Sequence, residues 1–261
     1  MSLLERSLTM TRDEDGTCYA LASPDYEAGN GMFGGWTAAL MLKSVLDDPG
    51  AEGSASAITV NFIKQVTPDV RLRLRPQRLG GGRSLIHWRC DLTDDAGDLL
   101  ATATIVLANR KPSDSYTQAV MPDAQGPESF SPAQLPGTFA QRVSVLPTLG
   151  QNLFNLPSTR SVNWEKETSG RSMDAVQIAL VADLGAPRVF FISAGPRPSS
   201  TITMSVYFHA TTEELVACGD DYILSDMIGT RIEGATVGSR KDMWSRDGKL
   251  LATTEQMCWF R

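Results

Sequence analysis

The segment Gly97-Asp98-Leu99-Leu100-Ala101-Thr102 returns as Gly248-Lys249-Leu250-Leu251-Ala252-Thr253, and Val60-Asn61-Phe62 has a counterpart in Val206-Tyr207-Phe208. A duplication constrains the fold more than any local signal, because each copy must bury the same apolar face and the other copy is at hand. Between the copies, Lys111 to Pro147 is rich in Pro, Ser and Gly and keeps no sustained periodicity, the composition of a connector. The chain therefore divides into a first unit over 1–110, a connector over 111–147 and a second unit over 148–261. Two unrelated halves with similar turns are the competing reading.

Both units show one order of elements. In the first, strand candidate Thr17–Ala22 is followed by Phe33-Gly34-Gly35-Trp36 and a helix over 37–48, in which Ala38, Leu42, Val45 and Leu46 recur at helical spacing. Pro49-Gly50 ends it. Strand candidates Ala57–Lys64, Val70–Leu79, Ser84–Thr93 and Leu99–Ala108 follow, separated by turn residues. In the second unit Ser161–Glu167 reads as a strand and Met173–Leu184 as a helix. Thr201–His209, Val216–Leu224, Ala235–Ser245 and Leu250–Phe260 then read as strands. A helix followed by antiparallel strands predicts an α+β unit in which a sheet wraps the helix, one face buried and one wet. Taken twice, this is a double hotdog: two antiparallel sheets, each wrapped around a long central helix.

The net charge of -6 and a pI near 5.0 argue against a general nucleic-acid binder. No stretch approaches the roughly 20 apolar residues of a membrane span. Met1 to Thr11 has no long apolar run, so it does not read as a signal peptide, and a cytoplasmic protein is expected. Cys18, Cys90, Cys218 and Cys258 have neither metal-ligand nor redox spacing and read as reduced core thiols; no metal is expected.

Several short pieces stand in a family order: Phe33-Gly34-Gly35 before the first helix, Ala182-Asp183 at the end of the second, and Thr201-Ile202 opening a strand. Tyr207-Phe208-His209 and the terminal Asp247-Gly248-Lys249-Leu250-Leu251-Ala252-Thr253-Thr254-Glu255-Gln256 complete the set. With these the chain resembles the acyl-CoA thioesterase II family over nearly its whole length outside the connector. The resemblance implies hydrolysis of an acyl-CoA, with CoA part of the substrate and no separate cofactor, and by analogy a homodimer. It also implies that Asp183, Thr201 and Gln256 hold the hydrolytic water. After Tyr207-Phe208-His209 the family commonly carries Arg-Pro, where this chain has Ala210-Thr211.

The residues also argue for themselves. Thioester hydrolysis requires a positioned water, a group to orient or accept its proton, and donors facing the developing oxyanion. Aligning the repeated segments pairs Gln256 with Ile105. Leu99, Ala101, Ala103, Ile105 and Leu107 share one strand face, which is the core face because strand side chains alternate. In the second copy that face reads Leu250, Ala252, Thr254, Gln256 and Cys258. An amide buried there unpaired costs about 1–3 kcal/mol, so it needs a partner or a water; backbone near the sheet edge is the alternative partner. Aligning the helices by apolar pattern sets Asp183 opposite Val45. In the last turn of its helix a carboxylate faces the negative end of the macrodipole, unfavourable by about 0.3–1 kcal/mol, which marks either function or a solvated helix end. Thr201 competes with Ser199, Ser200 and Thr203 for the hydroxyl role.

Phe33-Gly34-Gly35-Trp36 precedes a helix whose first amides lack intrahelical partners. Glycine there lets a ligand oxygen approach, so Gly34, Gly35 and Trp36 are candidates for oxyanion and substrate binding across the interface between copies; a tight turn is the alternative. Arg71, Arg73 and Arg75 alternate with Leu72 and Leu74, either to meet CoA phosphates or as the wet face of a strand. His87 and His209 are the only histidines, and His209 reads as structural. No G-x-S-x-G elbow, phosphate loop or H-E-x-x-H pair occurs, which favours direct attack by water over a covalent serine route. Two further readings stay open: an enoyl- or 3-hydroxyacyl-CoA hydratase or dehydratase, whose sites generally use an Asp-His pair, and a module that binds acyl thioesters without turnover.

Overall fold

The computed structural model describes residues 1–29, 31–149 and 153–261; residues 150–152, near the start of the predicted second unit, lie outside the described residues. The first half runs α1 (Leu3–Ser7), β1 (Thr11–Arg12), β2 (Cys18–Leu21), α2 (Gly34–Leu46), β3 (Ser54–Phe62), β4 (Arg71–Gly81), β5 (Leu85–Asp94) and β6 (Leu99–Ala108). The second runs β7 (Val143–Leu149), β8 (Ser161–Glu167), α3 (Ala175–Val181), α4 (Arg188–Ile192), β9 (Ser199–Phe208), α5 (Thr212–Ala217), β10 (Ile223–Glu233), β11 (Thr236–Trp244) and β12 (Leu250–Phe260).

The predicted pair of sheets is one. Twelve strands join in the order β1-β2-β4-β5-β6-β3-β9-β12-β11-β10-β8-β7, and the second half reverses the order of the first. The halves meet where β3 pairs antiparallel with β9: Thr59 faces Ser205, flanked by Ile58 against Val206 and Val60 against Met204. Thr59 precedes Val60 as Ser205 precedes Val206, so equivalent residues of the repeat meet at a pseudo-twofold axis. Their hydroxyl oxygens lie 2.9 Å apart. Pairing here removes the two open edges that separate sheets would expose.

The predicted long helices are unequal, 13 residues in α2 and 7 in α3. Asp174 starts α3 by accepting from the Gln177 amide. The carbonyls of Val181 and Leu184 turn to Lys241 Nζ, at 2.9 and 3.0 Å, and there the predicted Met173–Leu184 helix stops short. α2 and α3 pack on each other and fill one continuous apolar core under the sheet.

Two predicted segments are corrected. Val216–Leu224 is not a strand: it spans the end of α5, a turn and only the first residues of β10. Thr211 and Glu214 form a capping box that starts α5, a T-x-x-E signal present in the sequence. β10 itself carries Asp226 and Gly229 and lacks clean alternation, so its pattern does not declare it. The predicted connector is not featureless either. β7 begins at Val143 within it, and this outermost strand tolerates Pro147 as an edge position. Upstream, Ala119, Met121 and Phe130 cover Leu146, Val162, Trp164, Leu224 and Trp244 on the outer face of the second half. The Trp164 indole donates to the Gln125 carbonyl at 2.8 Å. β8 is accordingly buried at nearly every position, whereas β5 alternates buried and wet residues. Among the described residues no helix is long and apolar enough to cross a membrane.

Candidate active site

Phe33 gives the first turn of α2 no side-chain cap. The acceptor comes from the other half of the molecule: the Gly35 N–H donates to Asp183 Oδ2 at 2.9 Å, the bond an N-cap side chain ordinarily supplies to the second helical residue. Glycine makes the approach feasible, since a Cβ on Gly34 would lie 2.7 Å from Asp183 Oδ2 and one on Gly35 2.2 Å from the Leu180 carbonyl oxygen. Asp183 thus sits at the positive end of α2, which offsets its unfavourable place just beyond α3. The oxygen drawn to the Gly35 amide is the protein's own. Trp36 does not offer a ligand contact: it is fully buried and its indole donates to Ser7 Oγ at 3.1 Å.

Gln256 reaches the same carboxylate from β12, its Nε2 donating to Asp183 Oδ1 at 2.9 Å. Thr201 on β9 stands in register with Cys258. Its Oγ1 is 3.6 Å from Cys258 Sγ, and that sulfur is 3.8 Å from Gln256 Oε1. Thr201 therefore joins the pair through Cys258 and does not touch Asp183 directly. Gly34, Phe62, Asp183, Thr201, Gln256 and Cys258 line one cleft of about 630 Å³ between the halves. Cys258, expected as a plain core thiol, borders this cleft. Burial pushes it up to about 11, so the group there is a thiol and a weak donor.

Burial likewise raises the Asp183 carboxyl to about 6, against the opposing pull of the Gln256 amide, the Gly35 N–H and the Lys241 charge. Such a carboxylate is ionised at neutral pH and basic enough to accept a proton from water.

Behind Asp183 lies a buried ion pair that sequence reasoning did not single out. Lys241 Nζ donates to Glu165 Oε2 at 2.6 Å, with side chains 1% and 0% exposed. Ser225 Oγ donates to the same oxygen at 2.7 Å. A signal for these residues exists once strand register is carried outward from the pseudo-dyad. Gln256 then matches Ile105, Lys241 matches Cys90, Ser225 matches Leu74, and Glu165 matches Ala20. Counted from the N-caps Asp174 and Phe33, Asp183 matches Leu42 rather than Val45. Apolar core positions of the first half have become polar in the second.

Of the arginine stripe, Arg71 lies over the Tyr19 ring at 4.4 Å, and none of Arg71, Arg73 and Arg75 lines the cleft. His209 Nε2 is 3.0 Å from Thr253 Oγ1 at the far end of β9 from Thr201.

Residues 22–108 match the family model of the acyl-CoA thioesterase N-terminal domain, and residues 115–260 that of the acyl-CoA thioesterase C-terminal domain. The chain is similar to a conserved protein of unknown function with a hot dog fold from Alicyclobacillus acidocaldarius, 28% identical, with a TM-score of 0.95 over 100% of this chain and 98% of that one. A tesB protein of Mycobacterium avium subs paratuberculosis is 18% identical, with a TM-score of 0.81 over 99% of this chain and 98% of its own. Acyl-CoA thioesterase II TesB2 from Mycobacterium marinum is 16% identical, with a TM-score of 0.78 and the same coverages of 99% and 98%. No curated protein matches the sequence. With both domain models matched in order along a sheet of this fold, the chain belongs to the acyl-CoA thioesterase family.

Proposed function

We propose that the chain hydrolyses acyl-CoA thioesters to free CoA and a carboxylic acid by direct attack of water held at Asp183, Gln256 and Thr201. Each half is read as one hotdog unit, around α2 and α3, with the cleft at their junction. Acyl-CoA hydrolysis is the activity that the family match carries. The water route rests on one observation: a carboxylate beyond a helix end and an amide on the last strand meet at 2.9 Å on the wall of a cleft.

An ionised carboxylate offers about four acceptor sites, and the Gly35 and Gln256 donors occupy two. The remaining sites suit a water. As that water attacks the thioester carbon, Asp183 takes its proton and the carbonyl oxygen becomes an oxyanion. The amide of Gly34, which begins α2 and borders the cleft, is the donor assigned to it. Collapse of the tetrahedral species breaks the C–S bond, and the CoA sulfur leaves with the proton returned by Asp183. Covalent attack by Cys258 is disfavoured because burial keeps it a protonated thiol. The hydratase reading loses its Asp-His pair, because His209 sits about 26 Å along β9 from Thr201 at the usual rise per residue.

The test incubates purified protein with acyl-CoAs of graded chain length and follows free thiol. Release is expected from the native chain and not from Asp183→Asn combined with Gln256→Ala. Undiminished release in that double variant would reject the site, and tight acyl-CoA binding without release by the native chain would favour the non-catalytic reading.

A further inference from the structure

The buried pair behind the carboxylate has no part in the proton transfer just described, yet its geometry is directed at it. Nζ of Lys241 has three donors, and they meet Glu165 Oε2 at 2.6 Å, the Val181 carbonyl at 2.9 Å and the Leu184 carbonyl at 3.0 Å. Val181 and Leu184 bracket Asp183 in the chain. Glu165 in turn accepts from Ser225 Oγ and, at 3.3 Å, from Asn163 Nδ2. We propose that Glu165 and Lys241 are positioning residues for Asp183, the ammonium group clamping the two carbonyls on either side of it so that the carboxylate is held on Gln256 and Gly35.

Three observations carry this. A buried ion pair is a poor source of stability, because an apolar pair of like volume serves as well or better; the first half has Ala20 and Cys90 at the matching positions. The clamp also lies where helix α3 ends, so it fixes the turn that carries the side chain. Finally, the charges facing Asp183 are few. Lys241 on β11 favours its ionised form, Glu165 on β8 faces Lys241 and Arg188, Arg188 on α4 faces Glu165, Lys241 and Cys258, and Cys258 on β12 stays a thiol. The donor that α2 contributes is the uncharged Gly35 amide.

The proposal rests on the reading of Asp183 as the base, so Asp183→Asn is measured alongside. The test variant is Glu165→Met with Lys241→Met, which removes the two partners together, while Arg188, which also faces Glu165, keeps its bonds to the Ala186 and Thr159 carbonyls and Ser161 Oγ. Its thermal unfolding, kcat and KM for one acyl-CoA, and the pH dependence of kcat/KM are measured. Expected are a folded protein, a KM within about twofold of the native value, a kcat lowered by about 10- to 100-fold, and an acid limb moved to higher pH because the charge that held Asp183 ionised is gone. A folded double variant with native kcat and native acid limb overturns the proposal. If Asp183→Asn itself keeps native turnover, the reading of the base fails instead. Glu165→Asp gives the answer should the methionine pair not fold. It keeps both charges but draws Nζ off the carbonyls, so kcat is expected to fall by about tenfold with the acid limb in place. Native kcat in Glu165→Asp overturns the clamp.

Discussion

The first half packs α2 against strands whose inward residues include Leu74, Cys90, Ala103 and Ile105, all buried and apolar. At the matching places the second half packs the shorter α3 against Ser225, Lys241, Thr254 and Gln256. The halves differ on the outside too. The first leaves its outer face wet, while the second is roofed by the segment upstream of β7. The two differences belong together. Polar groups in a core give up hydrophobic stabilisation of about 25 cal/mol per Å², and apolar cover on the opposite face, with Trp164 and Trp244 at its centre, restores some of it. On the proposed mechanism this is a division of labour within one duplicated fold, in which one copy keeps the ordinary core and lends the start of its helix and the other exchanges core for chemistry.

The sharpest way to break that division is to substitute matching positions. Asp183→Asn is expected to lower kcat by about 10²–10⁴, the usual contribution of a positioned general base, with little loss of fold. Leu42→Ala, its counterpart, should do the reverse: about 2–5 kcal/mol of stability lost through the cavity and native turnover per folded molecule. Steady-state kinetics beside denaturant melts of both variants decide it, and equal kinetic losses would end the claim that only one half is catalytic. On the strands the contrast is milder. Gln256→Leu should cost about 10- to 100-fold in kcat by freeing Asp183 from one of its two holders. Ile105→Gln should instead destabilise by about 3 kcal/mol or more, since it removes packing and buries an amide without a partner.

Much of this contrast was open to view in the amino-acid sequence. The LLAT segments equate β6 with β12, which puts Gln256 on a core face at the place Ile105 holds in the first copy, and the strand registers keep that equivalence. What the sequence could not give was any fact that depends on two distant segments touching. Gly34 and Gly35 read as room for a ligand oxygen, and the room is taken up in part by Asp183, a contact that only the crossing of α2 over α3 creates. Glu165 and Lys241 lie in strand patterns where a charged residue reads as wet, because nothing local reveals that the outer face is roofed. α5 and β10 were missed for another reason: the apolar run from Val216 continues across a helix end, a turn and a strand start without a break in hydrophobicity.

The comparison also makes a prediction in pH. Burial raises Asp183 from 3.8 to about 6, so the folded state binds its proton more tightly than the unfolded chain. Stability from this group is therefore complete below about pH 4 and declines as pH rises to 6, and above that the ionised carboxylate costs at most about 3 kcal/mol. The cleft lets solvent reduce that figure. Activity runs the opposite way, with kcat/KM rising through an acid limb near pH 6 as the base ionises. Unfolding of Asp183→Asn should gain on the native protein as pH goes from 4 to 7, with part of the gain given back because the Asn amide has one acceptor oxygen where the carboxylate offers two, to Gly35 N–H and Gln256 Nε2. Leu42→Ala should show no such trend. A native limb well below pH 5 would mean another group sets the rate.

The smallest effect is expected from the feature that looked most like a phosphate-binding stripe. Arg71, Arg73 and Arg75 stand on β4, five strand positions from β12 in the sheet order and so roughly 24 Å from it along the sheet. Leu72 and Leu74, which alternate with them, are fully buried, so the arginines face away from the core that the cleft opens from. Arg71 is already engaged with the Tyr19 ring. Replacing Arg71 and Arg75 by Ala is expected to leave KM for acyl-CoA within about twofold and stability within about 0.5 kcal/mol, as for surface positions in general. The measurement that matters is KM at two ionic strengths. A phosphate contact would raise KM in the variant and make the native KM depend on salt more steeply than the variant's. Should that dependence appear, the first half would supply more than a helix start to the substrate, and the division of labour between the copies would have to be redrawn.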